Sequence, residues 1–410
     1  MGVDVVVMPS LGVWLLGATL AGTALGTISG LIPGLHANNF ALLLASAAAM
    51  LPGDPLVIGV AMLAAGVTHS FLNVVPTLAI GVPDAEMAPM ALPGHRLVLE
   101  GRGYEAIRLS ALGSGLAVLL AVPLAVPISA VVAIIYPTVS AHIGLVLGAV
   151  VIGLIVSEPT HRSRLAGALS FGLSATLGAL TLDLSPEAPL EAGGILAPLF
   201  AGLFGAPVLL DAMAGRGIPE QASPVLRTSR RRVLTTAGAG TLAGALVGYL
   251  PGVSAAIAAV AVLFLIPGDT DARGYIVATS GVDTANAIFA LFALTTIGQP
   301  RSGVMVAFEE IAPPLVLPVL VGAVVLAGAV ATGLTIWLGD RYLAVVGRLD
   351  PTVLSLVAGA MLIVLSGLFA GLTGVGVFVL ATLVGLVPVR LGAYRVHLMG
   401  VLIGPIMLGI

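Results

Sequence analysis

The chain has 410 residues, 59% of them hydrophobic and 9% charged, with mean hydropathy +1.16 and a net charge of −3, where a soluble domain carries about 25% charged residues. These values describe a polytopic membrane protein and argue against nucleic acid as a partner. There is no cysteine, so disulfides and thiolate metal sites are excluded, and the long continuous apolar runs lack the roughly ten-residue alternating strands of a membrane β-barrel.

In chain order, the opening MGVDVVVMPS has no basic n-region, so the first apolar run is expected to be a retained helix, not a cleaved signal. Apolar segments follow at 11–32, 35–51, 55–82, 107–135, 139–157, 164–181 and 192–213. After a polar stretch ending in the basic run Arg227 to Arg232, a second series falls at 233–250, 252–267, 274–297, 311–338, 351–367, 369–388 and 393–410. The expected fold is all-α, with a first transmembrane repeat over 11–213, a basic cytoplasmic linker over 214–232 and a second repeat over 233–410. Segments 35–51 and 252–267 are short against the roughly 20 residues of a span, so each is either a crossing or half of a re-entrant hairpin.

The two series match in detail. GTISGLIPGLHANN parallels GALVGYLPGVSAAI, aligning Pro33-Gly34 with Pro251-Gly252, and LPGD at 51–54 parallels IPGD at 266–269. Arginine marks the cytoplasmic side of short loops. All the basic residues are Arg, and they crowd loops 95–108, 158–164 and 214–232 of the first half but 339–350 and 389–395 of the second. Those second-half loops correspond to the outside loops of the first, so the second repeat is expected to be inverted, as in transporters that work by alternating access.

Two sets of polar residues inside apolar sequence are the candidate sites. At the Pro-Gly pairs one helix must stop and another start, and a helix start exposes N–H groups that attract anions. A substrate site is therefore expected at Pro33, Gly34, His36, Asn38, Asn39, Pro251, Gly252 and Ser254. The break repeats while the histidine and asparagines do not, so any selectivity falls to the first half. The third segment of each half is polar too, with Thr68, His69, Ser70, Asn73 and Thr77 in one and Ser280, Asp283, Thr284 and Asn286 in the other. An intramembrane carboxylate is a functional hypothesis by default. Asp283, with Thr284, Asn286 and Asn73, is the expected site of a coupling Na⁺ or H⁺; the bland alternative has Asp283 capping its helix near water. Arg301 is expected to snorkel to the interface, the charges of 95–108 to be ordinary loop polarity, and the basic run a topology signal. No metal-binding histidine pair, nucleophile elbow or nucleotide loop is present, so no enzymatic centre is expected.

GLIPGLHANNFALLL and GYLPGVSAAIA, with ALPGHRLVLEGRGYEAIRLSALGS, ILAPLFAGLFGAPVLL and VRLGAYRVHLMGVLIGPIMLG in that order, make the chain resemble the tripartite tricarboxylate transporter permease (TctA) family. The resemblance implies uptake of a carboxylate driven by an ion gradient, alongside a small membrane subunit and an extracytoplasmic solute-binding protein. Where that family carries Asn-Thr-Pro-Gly this chain reads Gly81-Val82-Pro83-Asp84, and only VDTANA remains of the second-half motif. The reading is a cytoplasmic-membrane permease for a small organic anion. Two further readings are a translocase for a lipid-linked phosphate and a channel or structural membrane component.

Overall fold

A computed structural model describes residues 9–33, 35, 37, 40–41, 43–45, 53–81, 87–190, 194–213, 218–250, 255, 258–259, 262 and 272–409. Among them every regular element is helical. In chain order these are α1 (Pro9–Leu31), α2 (Pro55–Leu72), α3 (Val74–Ile80), α4 (Ala88–Leu99), α5 (Gly103–Ala141), α6 (Ile143–Ser157), α7 (His161–Thr181) and α8 (Leu196–Phe200). A π turn (Ala201–Gly205) joins α8 to α9 (Ala206–Ala212). Then come α10 (Arg230–Tyr249), α11 (Ala272–Ile297), α12 (Gly303–Ile311), α13 (Leu317–Val346), α14 (Pro351–Leu391), a 3₁₀ turn (Arg395–Met399) and α15 (Gly400–Leu408). Six helical stretches among the described residues are long and apolar enough to cross a bilayer.

Glycine sets how closely these helices approach, as expected where lipid leaves no hydrophobic drive for helix association. Gly22, Gly26 and Gly30 of α1 lie against Ala61, Ala65 and Leu72 of α2, in that order, so the two helices run parallel. A Cβ on Gly22 or Gly26 would stand 2.0 or 2.2 Å from the carbonyl oxygen of Ala61 or Ala65, so only hydrogen fits there. The same device recurs between α10 and α11, where Gly240, Gly244 and Gly248 meet Ala278, Val282 and Phe289. In both pairs the chain leaves the first helix at one end and enters the second at the other.

The central helices form two oppositely directed groups. α13 runs against α5, pairing Gly103 with Leu343, Ile107 with Gly339 and Val118 with Gly328. α13 runs with α2: Gly59 abuts Pro313 just ahead of α13, and Thr335 Oγ1 donates to the carbonyl of Phe71. α5 in turn runs with α11, from Gly113 against Val277 to Tyr136, whose hydroxyl donates to Gln299. Thus α1, α2 and α13 point one way, and α5, α10 and α11 the other. The helices α2 and α11 are the most enclosed of the spans, which puts their polar residues at the centre.

Outside this bundle, α14 is not one rod. Ala370 (φ −146°, ψ 20°) and Gly371 (φ 58°, ψ −154°) leave helical geometry, and Ser366 touches the Cβ position of Gly374 while Gly367 touches Val375. Residues eight apart would stand about 12 Å apart in a continuous helix, so α14 is a helical hairpin whose arms match the segments read at 351–367 and 369–388. α6 and α7 form the comparable pair in the first half, joined at Glu158. Helices α13 and α14 also run beyond the apolar segments, and Arg341, read as loop, lies helical over the ring of Trp337 at 4.0 Å.

Candidate functional site

Leu63, Gly66, Val67 and Ser70 recur on α2 at i, i+3, i+4 and i+7, which places them on one helical face. On α11 the same spacing gives Asp283, Asn286 and Ala287. These faces border one cleft, lined also by Ala37, His69 and the first turn of α12 with Ser302, Val304 and Met305.

α2 ends at this level for a local reason. Pro76 has no N–H to give to the carbonyl of Leu72, and the chain re-starts as α3 after Asn73. Asn73 is thereby turned towards α11. Its Nδ2 donates to Asp283 Oδ2 at 2.8 Å, while its carbonyl accepts the hydroxyl of Thr77 at 2.8 Å. One turn earlier Ser70 Oγ donates to Thr284 Oγ1 at 3.3 Å. His69 is fixed from the α1 side, with Nδ1 2.9 Å from Ser29 Oγ and its ring stacked on Phe40 at 5.8 Å between centroids.

The four residues expected to serve a coupling ion, Asp283, Thr284, Asn286 and Asn73, are thus drawn together and are all buried. Asp283 lies eleven residues inside α11, so it does not cap its helix. Asn286, 6% exposed, lines the cleft with an amide oxygen that has no hydrogen-bond partner among the described residues. Buried polar groups are normally satisfied, and an amide oxygen is a hard ligand of the type that alkali and alkaline-earth cations take.

Of the expected substrate residues, Pro33 sits in the turn after α1. Gly34, His36, Asn38, Asn39, Pro251, Gly252 and Ser254 lie outside the described residues. Their described neighbours bear on the same region, since Ala37 lines the cleft and Phe40 stacks on His69. Ala255, which follows Pro251-Gly252 in sequence, packs with Ala278 and Val282. The sequence reading passed over α12, whose Ser302 follows Arg301; the Ser-Gly-Val-Met helix start was the available signal.

The charges of 95–108 are more than loop polarity. Glu105 is buried and takes Arg102, Arg273 Nε at 3.0 Å and the backbone N–H of Arg227 at 2.7 Å, while Arg108 pairs with Asp340 through two hydrogen bonds of 2.8 and 2.9 Å. Part of the basic linker is thus tied to the helix bundle. Arg301, expected to snorkel, holds Gln299 at 2.6 Å and lies 5.2 Å from the ring centre of Tyr136.

A family model described as the tripartite tricarboxylate transporter TctA family matches residues 16–400. An uncharacterised protein of Methanocaldococcus jannaschii is 28% identical over 397 residues, covering 95% of this chain and 97% of that protein. No solved structure matches the chain.

Proposed function

The chain belongs to the tripartite tricarboxylate transporter TctA family, and from that premise we propose that it is a secondary active permease carrying an anionic organic solute, a di- or tricarboxylate, by alternating access coupled to Na⁺ or H⁺. Multi-pass membrane insertion and a role in transport come with the family and the apolar helices. The solute, the coupling and the mechanism are our reading. We place the protein in the cytoplasmic membrane with its Arg-rich loops inside, working with a small membrane subunit and an extracytoplasmic solute-binding protein.

The mechanism rests on two inverted repeats, 11–213 and 233–410, flanking the basic linker. Support comes from the exchange of partners in the central bundle. The first-half helix α5 runs with α10 and α11, while the second-half helix α13 runs with α1 and α2. Two halves of opposite orientation can rock about a site held between them and expose it to either side in turn.

Asp283 on the cleft between α2 and α11 is the observation that carries the coupling. An ionised carboxylate in a low-dielectric site is costly until a cation or proton neutralises it. Asn73 holds one carboxylate oxygen, and the amide oxygen of Asn286 on the same cleft supplies a second hard ligand of the kind Na⁺ accepts. Loading the site removes its charge and lowers the cost of rearranging the surrounding helices.

Reconstitution tests this reading. Proteoliposomes should accumulate labelled citrate against its gradient when an inward Na⁺ or proton gradient is imposed, and uptake should saturate. Flux that ignores both gradients and does not saturate would indicate a channel and sink the proposal.

A further inference from the structure

The glycine contacts give the register between the two halves. Gly240, Gly244 and Gly248 lie 218 residues after Gly22, Gly26 and Gly30, and the residues they touch, Ala278, Val282 and Phe289, lie 217 after Ala61, Ala65 and Leu72. Carried along the helices, that register matches Gly66 with Asp283, His69 with Asn286, and Ser70 with Ala287. All six line the one cleft. Equivalent faces of α2 and α11 therefore confront each other across it, but with unlike chemistry. The α11 face presents a carboxylate and an amide oxygen, both acceptors, where the α2 face has a glycine and an imidazole, and an alanine where α2 has the Ser70 hydroxyl.

The third wall is the start of α12. Ser302 caps this nine-residue helix, its Oγ accepting the N–H of Met305 at 3.3 Å, and Ser302, Val304 and Met305 all line the cleft. As the acceptor in that bond, the Ser302 hydroxyl keeps its own proton to donate, and the first turn of a helix carries partial positive charge. A carboxylate fits there, yet the same cleft holds Asp283. Two like charges at about 4 Å repel by several kcal/mol in a partly buried site, unless a cation lies between them.

Resting on the permease reading above, we propose that the cleft is a paired site: Ser302 and the α12 start, with His69, hold the solute's carboxylate, while Asp283 and Asn286 hold a cation that bridges to it. Solute and cation then bind as a unit, each lowering the cost of the other. The pairing ties coupling to binding, and it puts the solute's anionic end at the α12 helix start.

The test uses the purified full-length chain in lipid nanodiscs, with citrate as the probe and Na⁺ and pH varied. In the wild type, citrate affinity should rise about tenfold or more with Na⁺ or with falling pH. Asp283→Asn should remove that dependence. Ser302→Ala and His69→Ala should weaken citrate binding about tenfold, the cost of a lost hydrogen bond to a charged group, while Ser302→Thr and His69→Gln recover most of it. Asp350→Ala, which removes the N-cap of α14 (Oδ1 to the N–H groups of Thr352 and Val353), controls for cap loss and should leave citrate affinity unchanged. Wild-type citrate affinity in Ser302→Ala and His69→Ala overturns the paired site and leaves the permease standing. No cation-dependent citrate binding in the wild type strikes the permease reading itself.

Discussion

Asp283 and Glu158 are both buried carboxylates in a membrane protein, but one borders a cleft and the other is packed solid. Glu158 sits at the tip of the α6–α7 pair, where its Oε1 accepts the N–H of Tyr394 at 2.7 Å and lies 2.9 Å from His397 Nε2. The His397 ring presses on Gly167, where a Cβ would be 2.6 Å from Nε2, and Ser174 Oγ donates to the His397 carbonyl. This carboxylate clasps two distant stretches of chain. Asp283 meets an amide and lines the cleft together with the Asn286 oxygen that has no partner among the described residues. Burial and charge alone do not separate a structural acid from a functional one. What separates them is whether the surroundings are filled.

The largest expected effect breaks that comparison on the functional side. Asp283→Asn keeps the shape and removes the charge, so gradient-driven citrate uptake should fall at least about 100-fold, an equivalent of about 2.7 kcal/mol, while the melting temperature holds or rises. Loss of folding without a specific loss of coupling would move Asp283 into the same class as Glu158. On the structural side, Glu158→Ala strands a buried N–H and an imidazole, and leaving a buried hydrogen-bonding group without its partner costs about 1–3 kcal/mol. Chemical unfolding in detergent should register that loss, with uptake per folded molecule nearly unchanged.

A subtler pair of substitutions tests whether the α10–α11 contact positions the Asp283 face. A Cβ on Gly244 would lie 2.6 Å from Ala285 Cβ and 2.7 Å from the carbonyl of Val282, whereas nothing lies within 4 Å of the Cβ position of Gly238 on the same helix. Gly244→Ala should destabilise by about 1–3 kcal/mol through overpacking and weaken coupling, since Val282 adjoins Asp283. Gly238→Ala should stabilise by up to about 1 kcal/mol from helix propensity alone. Equal effects at the two positions would show that the contact does not matter.

The sequence made some of this legible and hid the rest for physical reasons. Apolar length located the long spans, and the join at 368 in the apolar pattern falls two residues from the break at Ala370–Gly371. Asp283, Asn286 and Asn73 stood out because charge and amides are costly in apolar sequence, so their positions alone are informative. The glycines at 22, 26 and 30 and at 240, 244 and 248 were visible as a four-residue spacing, but which helix they touch is a tertiary fact. Ser302 was invisible as a site residue because a serine before a short helix looks like any N-cap; only packing brings it to the cleft. Glu105 read as loop charge, and Glu158 drew no reading, because their partners, Arg273 and His397, lie 168 and 239 residues away.

The smallest effect sharpens the contrast at helix starts. Asp54 caps α2 by accepting the N–H of Leu56 at 2.8 Å, and Asp350 caps α14 in the same way with two such bonds of 2.9 and 3.0 Å. Each Asp→Ala change should cost about 1 kcal/mol of stability, a difference a melting curve resolves. Their functional consequences should diverge, because α2 carries the cleft face from Leu63 to Ser70 about two turns beyond its cap, whereas α14 lies outside the central bundle. Fraying at Asp54 loosens the helix that faces Asp283 and should raise the half-saturating citrate concentration by about twofold, an equivalent of roughly 0.4 kcal/mol. The same loss at Asp350 should leave transport unchanged. If both caps prove silent in transport, the start of α2 moves independently of the cleft; if both prove costly, the α14 hairpin belongs to the moving parts.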